Sequence, residues 1–106
     1  MDKRFAMSML LDFYGSLLTD RQRLCMELYY DGDRSLAEIA EDTSVSRQAV
    51  HDNLQRAELL LTGYEEKLGL LAQYEERKRF VEDLRAKLAR SGIQDDETER
   101  LIRALE

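Results

Sequence analysis

Proline and tryptophan are absent from this sequence, and cysteine and histidine occur once each, at Cys25 and His51. With no proline and only five glycines, turn punctuation is too scarce for a sheet protein, and a helical chain is expected. A single thiol cannot form an internal disulfide and suits a reducing compartment, so the cytoplasm is the expected location. One histidine excludes a histidine-based metal site within one chain. No apolar run approaches the roughly 20 residues that span a bilayer, and no secretory leader is visible, so membrane insertion is not expected. A glycine-rich phosphate loop is also missing, which excludes a GTPase. Positive charge is in short supply. Sixteen Lys and Arg stand against 22 Asp and Glu, a formal net charge of −6. Affinity for nucleic acid comes largely from neutralised phosphates, so a nucleic-acid reader built on this chain starts at a disadvantage.

What is present is most specific in residues 35–61. Ser35 followed by Glu38 is a capping box, and Leu36, Ile39 and Ala40 give the helix it opens an apolar face. Asp42, Thr43 and Ser44 compete for backbone hydrogen bonds and favour a turn, with Val45 as a lone apolar plug. Ser46 then caps a second helix whose inner face is Val50, Leu54, Ala57 and Leu61. Its outer face carries Arg47, Gln48, His51, Asp52 and Gln55. Two short helices joined by a tight turn make a helix-turn-helix. Ala40 falls where the two helices cross most closely.

The motif Glu38-Ile39-Ala40, Val45-Ser46-Arg47, Val50, Leu54 and Arg56-Ala57 resembles the helix-turn-helix in the fourth conserved region of bacterial sigma factors. Ser44 departs from that pattern, which usually has glycine in the turn; a positive φ there would cost serine a modest strain. Together with the opening MSMLLDFYGSLLTDRQR and the YEEKL that follows the motif, the first two thirds of the chain resemble the YlxM family of small helix-turn-helix proteins. That resemblance implies a regulator associated with the bacterial signal recognition particle (SRP), through genes neighbouring those of its GTPases. It also implies that Arg56 contacts backbone phosphate or braces the domain.

Around the motif, residues 2–18 show a broad apolar stripe of Phe5, Met9, Leu10, Phe13, Tyr14, Leu17 and Leu18, weakened by Gly15. Thr19 to Gln22 forms a second capping box, opening a helix expected to run through Tyr30, and Asp31-Gly32-Asp33 is a turn signal. The helix-turn-helix domain is expected to span residues 1–64 and a helical extension residues 65–106. In the extension, Leu70, Tyr74, Val81, Leu84 and Leu88 fall on a heptad seam interrupted by Arg77, and the phase slips near Gly69. Such a seam implies a homodimer, or a fold-back onto Phe5, Met9 and Phe13. Glu75 to Arg79 reads as the solvated face of a helix. Ser91-Gly92 ends that helix, and Asp96 with Glu99 is expected to cap a last one carrying Leu101, Ile102 and Leu105.

Catalytic chemistry finds no constellation. Cys25 sits among Leu24, Met26 and Leu28 and reads as a small core residue. The pairs Asp31/Asp33, Glu65/Glu66 and Asp95/Asp96 have no histidine or glycine-rich companion. The informative group is Arg47, Gln48, His51 and Gln55 on one helical face, since arginine and glutamine match guanine and adenine edges bidentately. An exposed polar helix face on a protein-binding platform is the plainer reading of the same residues. The expectation is therefore an all-α, non-enzymatic protein with no cofactor or metal. DNA is its expected partner through Arg47, Gln48, His51, Gln55 and Arg56. SRP RNA or the SRP GTPases are the alternative partners.

Overall fold

The computed structural model describes residues 2–106. Its described residues contain six α-helices and no strand, an all-α architecture: α1 (Lys3–Tyr14), α2 (Asp20–Met26), α3 (Leu36–Thr43), α4 (Arg47–Leu68), α5 (Leu70–Arg90) and α6 (Asp96–Leu105). They divide into two compact units, Met1–Gly69 and Leu70–Glu106. The division expected after residue 64 falls inside α4, because that helix continues another turn to Leu68. It stops at Gly69, whose φ of 64° is the left-handed conformation glycine adopts without strain, and whose N–H caps the Glu65 carbonyl at 2.9 Å.

In the first unit α4 is the axis against which α1, α2 and α3 all pack. Val50, Leu54, Ala57 and Leu61 form its buried stripe, at the spacing that puts every third or fourth residue on one face. Leu10, Leu11 and Tyr14 face inward from α1, Cys25 and Met26 from α2, and Ile39 and Ala40 from α3. Cys25 is fully buried, and that burial pushes its thiol pKa up, as a core residue requires. Phe5 and Leu17 were expected in the stripe of α1 but are exposed. The apolar face of α1 is thus narrower than the hydrophobic pattern suggests, and a 3₁₀ turn at Gly15–Leu17 redirects the chain after Tyr14.

The caps were readable locally and are formed. Thr19 and Gln22 close the expected reciprocal capping box; α1 has a further cap that the sequence reading did not name, Asp2, which accepts from the Phe5 N–H at 2.8 Å. The helix expected to continue from Thr19 through Tyr30 instead changes form. After Met26 it widens into a π-helical turn, Glu27–Asp31, closed by the Gly32 N–H to the Glu27 carbonyl at 2.9 Å. Glycine is required there for space: a Cβ at position 32 would lie 2.8 Å from the Leu28 carbonyl oxygen. Arg4 reaches across from α1 and donates from Nη1 to the Tyr29 and Tyr30 carbonyls at 2.9 and 3.2 Å. Its guanidinium also lies 5.4 and 5.6 Å from the centroids of the two tyrosine rings.

In the second unit α5 and α6 form an antiparallel pair joined by a tight turn. Gly92 is left-handed, with φ 74°, and the Ile93 N–H returns to the Leu88 carbonyl at 3.0 Å. The cap of α6 is Asp95, which accepts from the Thr98 N–H at 2.7 Å, and not Asp96 as expected. Asp96 lies one residue inside the helix, and Glu99 is engaged elsewhere. Arg85 of α5 donates from Nη1 to both Glu99 oxygens, at 2.8 and 2.9 Å, and from Nη2 to Glu106 at 2.9 Å. Of the heptad seam, Leu70 and Leu84 are exposed. Val81 is buried and Tyr74 and Leu88 are half-buried, and α6 packs against α5 with Ile102 turned inward.

Candidate nucleic-acid interface

The helix-turn-helix is α3, its turn and the first part of α4. Ser35 accepts from the Glu38 N–H and Glu38 accepts from the Ser35 N–H, both at 3.1 Å. Those bonds hold the Glu38 carboxyl below its usual pKa range, since they favour its charged form. The turn places Ser44 at φ 57°, ψ 38°. It is a Schellman closure, with the Val45 N–H returning to the Ala40 carbonyl at 3.1 Å. Serine therefore occupies a left-handed position that glycine would adopt without strain. Arg21 of α2 donates to the Thr43 carbonyl at 3.3 Å and ties the turn to the bundle. Ser46 caps α4, accepting from the Ala49 N–H at 3.1 Å.

Arg47 and Gln48 are the first two residues of α4, where the helix dipole is positive and anions are favoured. Arg47, Gln48, His51, Gln55 and Arg56 are all exposed. At 3.6 residues per turn the first four share one face and Arg56 falls on the opposite side from Arg47. They are not equally free. Gln48 donates from Nε2 to Asp52 Oδ1 at 3.0 Å, and His51 Nδ1 lies 3.7 Å from the same oxygen. Among the described residues, Arg47, Gln55 and Arg56 have no side-chain partner. His51 and Gln55 border a shallow cleft of about 250 Å³ that Lys3, Tyr29, Tyr30, Leu36, Leu54 and Glu58 complete.

The acidic surround is partly neutralised from within the unit. Arg34 pairs with Asp42 and lies 3.5 Å from Glu38. Glu58 accepts a hydrogen bond from the Tyr30 hydroxyl and lies 3.6 Å from Lys3 Nζ. Burial and the bond to Glu58 push the Tyr30 hydroxyl pKa well up, so it stays a neutral donor. Asp52 is shared by Gln48 and His51, which leaves Glu41 as the one uncommitted carboxylate of this motif among the described residues. Sequence reasoning missed Lys3 and Tyr29, which come from distant segments with no local signal. The Arg34–Glu38 pair, at i and i+4, was there to be found.

No group of three or more His, Cys, Asp or Glu side chains among the described residues could hold a metal ion. No helix of the described residues is long and apolar enough to cross a membrane. An all-α bundle with capped α3, a left-handed turn and an outward-facing α4 defines the helix-turn-helix class. Residues 1–101 match the family model described as "UPF0122: Putative helix-turn-helix protein, YlxM / p13 like". A UPF0122 protein of Geobacillus kaustophilus is 49% identical over 106 residues, covering 100% of this chain and 96% of its own length. One from Bacillus cereus strain AH187 and one from Bacillus anthracis are each 46% identical over the same spans. The chain belongs to the UPF0122 (YlxM/p13-like) family.

Proposed function

We propose that this protein is a non-enzymatic regulator that reads duplex DNA with the outer face of α4 and acts in the SRP pathway of protein targeting. The observation that carries the reading is the presentation of Arg47 and Gln55. Both are exposed and uncommitted on a helix whose Val50-to-Leu61 stripe is buried, so their backbone positions are fixed while their tips are free. Arginine and glutamine have the donor geometry to match guanine and adenine edges in a major groove. Gln48 and His51 join them once they leave Asp52, and Arg56 serves a backbone phosphate. The SRP setting rests on the resemblance to the YlxM family.

The net charge of −6 and the carboxylate of Asp52 on the reading face support a second reading. In it the same surface touches SRP RNA or the SRP GTPases and modulates them without reading DNA. One preparation titrated at low ionic strength against promoter DNA of its own gene cluster, SRP RNA and the GTPases separates the two. Under the first reading DNA binds with steep salt dependence, and Arg47→Ala removes about 1–3 kcal/mol of sequence discrimination. Arg56→Ala then weakens all sequences alike, since a phosphate contact carries no sequence information. RNA binding or altered GTP turnover, with DNA unbound even at low salt, overturns the first reading in favour of the second.

A further inference from the structure

The second unit leaves a self-complementary surface uncovered. Phe80 is 64% exposed, and Leu84 and Leu105 are exposed beside it. Together with Val81, Gln73, Glu76 and Arg77 they border an apolar groove of about 360 Å³ between α5 and α6. Leu101, 60% exposed, adds a further apolar side chain on α6. Of the apolar residues from Leu70 onward only Leu71, Val81 and Ile102 are buried. A helix pair this size seldom carries an adequate core alone; units below about 40 residues usually need metal, disulfides or association. It has neither a metal cluster nor a cysteine.

Charge indicates what covers the groove. Glu76, Arg79, Asp83 and Lys87 follow one edge of α5 beside Phe80, within a quarter-turn of one another at 100° per residue. None of the four makes an ion pair or side-chain hydrogen bond among the described residues, although each has an oppositely charged neighbour on its own helix. Their signs read minus, plus, minus, plus. Laid antiparallel against itself about a two-fold axis near Val81, this edge sets Glu76 opposite Lys87 of a second copy and Arg79 opposite Asp83, each twice. The same register brings Phe80 against Leu84 of the second copy. An isologous contact needs a patch complementary to itself, and this one is so in both charge and apolar placement.

We infer that α5 is the dimerisation helix of this protein, pairing antiparallel with α5 of a second copy through Phe80 and Leu84, flanked by Glu76–Lys87 and Arg79–Asp83 ion pairs. The interface meets the Leu70-to-Leu88 seam only at its exposed member Leu84; Val81 of that seam is buried, so the contact is centred on Phe80 and not on the seam itself. It does not depend on the nucleic acid reading, because self-association is measured without ligand.

Sedimentation equilibrium of the full chain from low to high micromolar concentration tests it. The wild type is expected to sediment as a dimer. Phe80→Glu should raise the dissociation constant roughly a hundredfold by placing charge at the interface centre. Glu76→Lys or Lys87→Glu alone should raise it about tenfold, and the two combined in one chain should restore it, since the pairs are then reversed together. Circular dichroism of each variant should match the wild type, because all the substituted side chains are exposed. A chain monomeric throughout the range overturns the proposal. So does a dimer indifferent to Phe80→Glu, which places the contact elsewhere. Failure of the double reversal to restore association rejects the antiparallel register.

Discussion

The two units of this chain are both helical, yet they are held by different means. Among the described residues the first buries thirteen apolar side chains and the second three. The first has a central helix covered on several sides, so its cohesion is hydrophobic and largely indifferent to pH and salt. In the second, α5 and α6 are joined as much by Arg85, which spans Glu99 and Glu106, as by Ile102. Exposed ion pairs of that kind contribute little and are screened. The difference follows from composition: apolar residues fill a whole face of α4, whereas α5 devotes most of its surface to charge.

Leu61→Ala should break the first unit most severely. The side chain is fully buried, and its loss is expected to cost about 2–5 kcal/mol in urea denaturation, transfer and cavity terms together. Leu101→Ala in the second unit, at a position 60% exposed, should cost under about 0.5 kcal/mol in the same measurement. Equal losses would mean that the two units share one core.

Ser44→Gly should act in the opposite direction. Relieving a non-glycine residue at φ 57° is expected to stabilise the first unit by about 1 kcal/mol, read as a higher urea midpoint at unchanged slope. No gain would show that the serine hydroxyl compensates its backbone.

The smallest effect should come from acid, and it should appear mainly in the second unit. Bonds from Arg85 hold the Glu99 carboxyl below its usual pKa range, and the Thr98 N–H does the same for Asp95. A lowered folded-state pKa contributes stability above the unfolded value and loses it as pH falls through the folded value. Amide exchange in α6 should therefore accelerate as pH drops below the ordinary carboxylate range, after correction for intrinsic exchange. Arg85→Gln should remove the Glu99 part of that dependence. Glu38 is shifted the same way in α3, but amides there should respond less, because Ile39 and Ala40 anchor the helix in the core.

Much of the first unit was legible because its signals are local. Ser35 with Glu38, Thr19 with Gln22, and Ser46 each announce a helix start within four residues, and the stripe of α4 announces its inner face. What escaped reading depends on through-space events. The π-helical turn arises where Gly32 must pass the Leu28 carbonyl, and it is completed by Arg4 from another helix. The outward residues of α4 were legible as a set, but the capture of Gln48 by Asp52 was not, since i,i+4 neighbours pair only when rotamers allow it. In the second unit Asp95 and Asp96 are adjacent and equally able to cap. Only the path of the turn after Gly92 decides between them.

The place of α4 in the first unit has a consequence for synthesis. Every earlier helix of that unit turns its apolar face toward the segment translated last. Until Leu61 has left the ribosome, Leu10, Met26 and Ile39 have no common surface to close upon, and the Tyr14 hydroxyl has no Glu65 to bond at 2.7 Å. The apolar faces of α1, α2 and α3 therefore gain their shared partner only when α4 arrives, although α1 already meets the Glu27–Asp31 turn through Arg4 and Ser8.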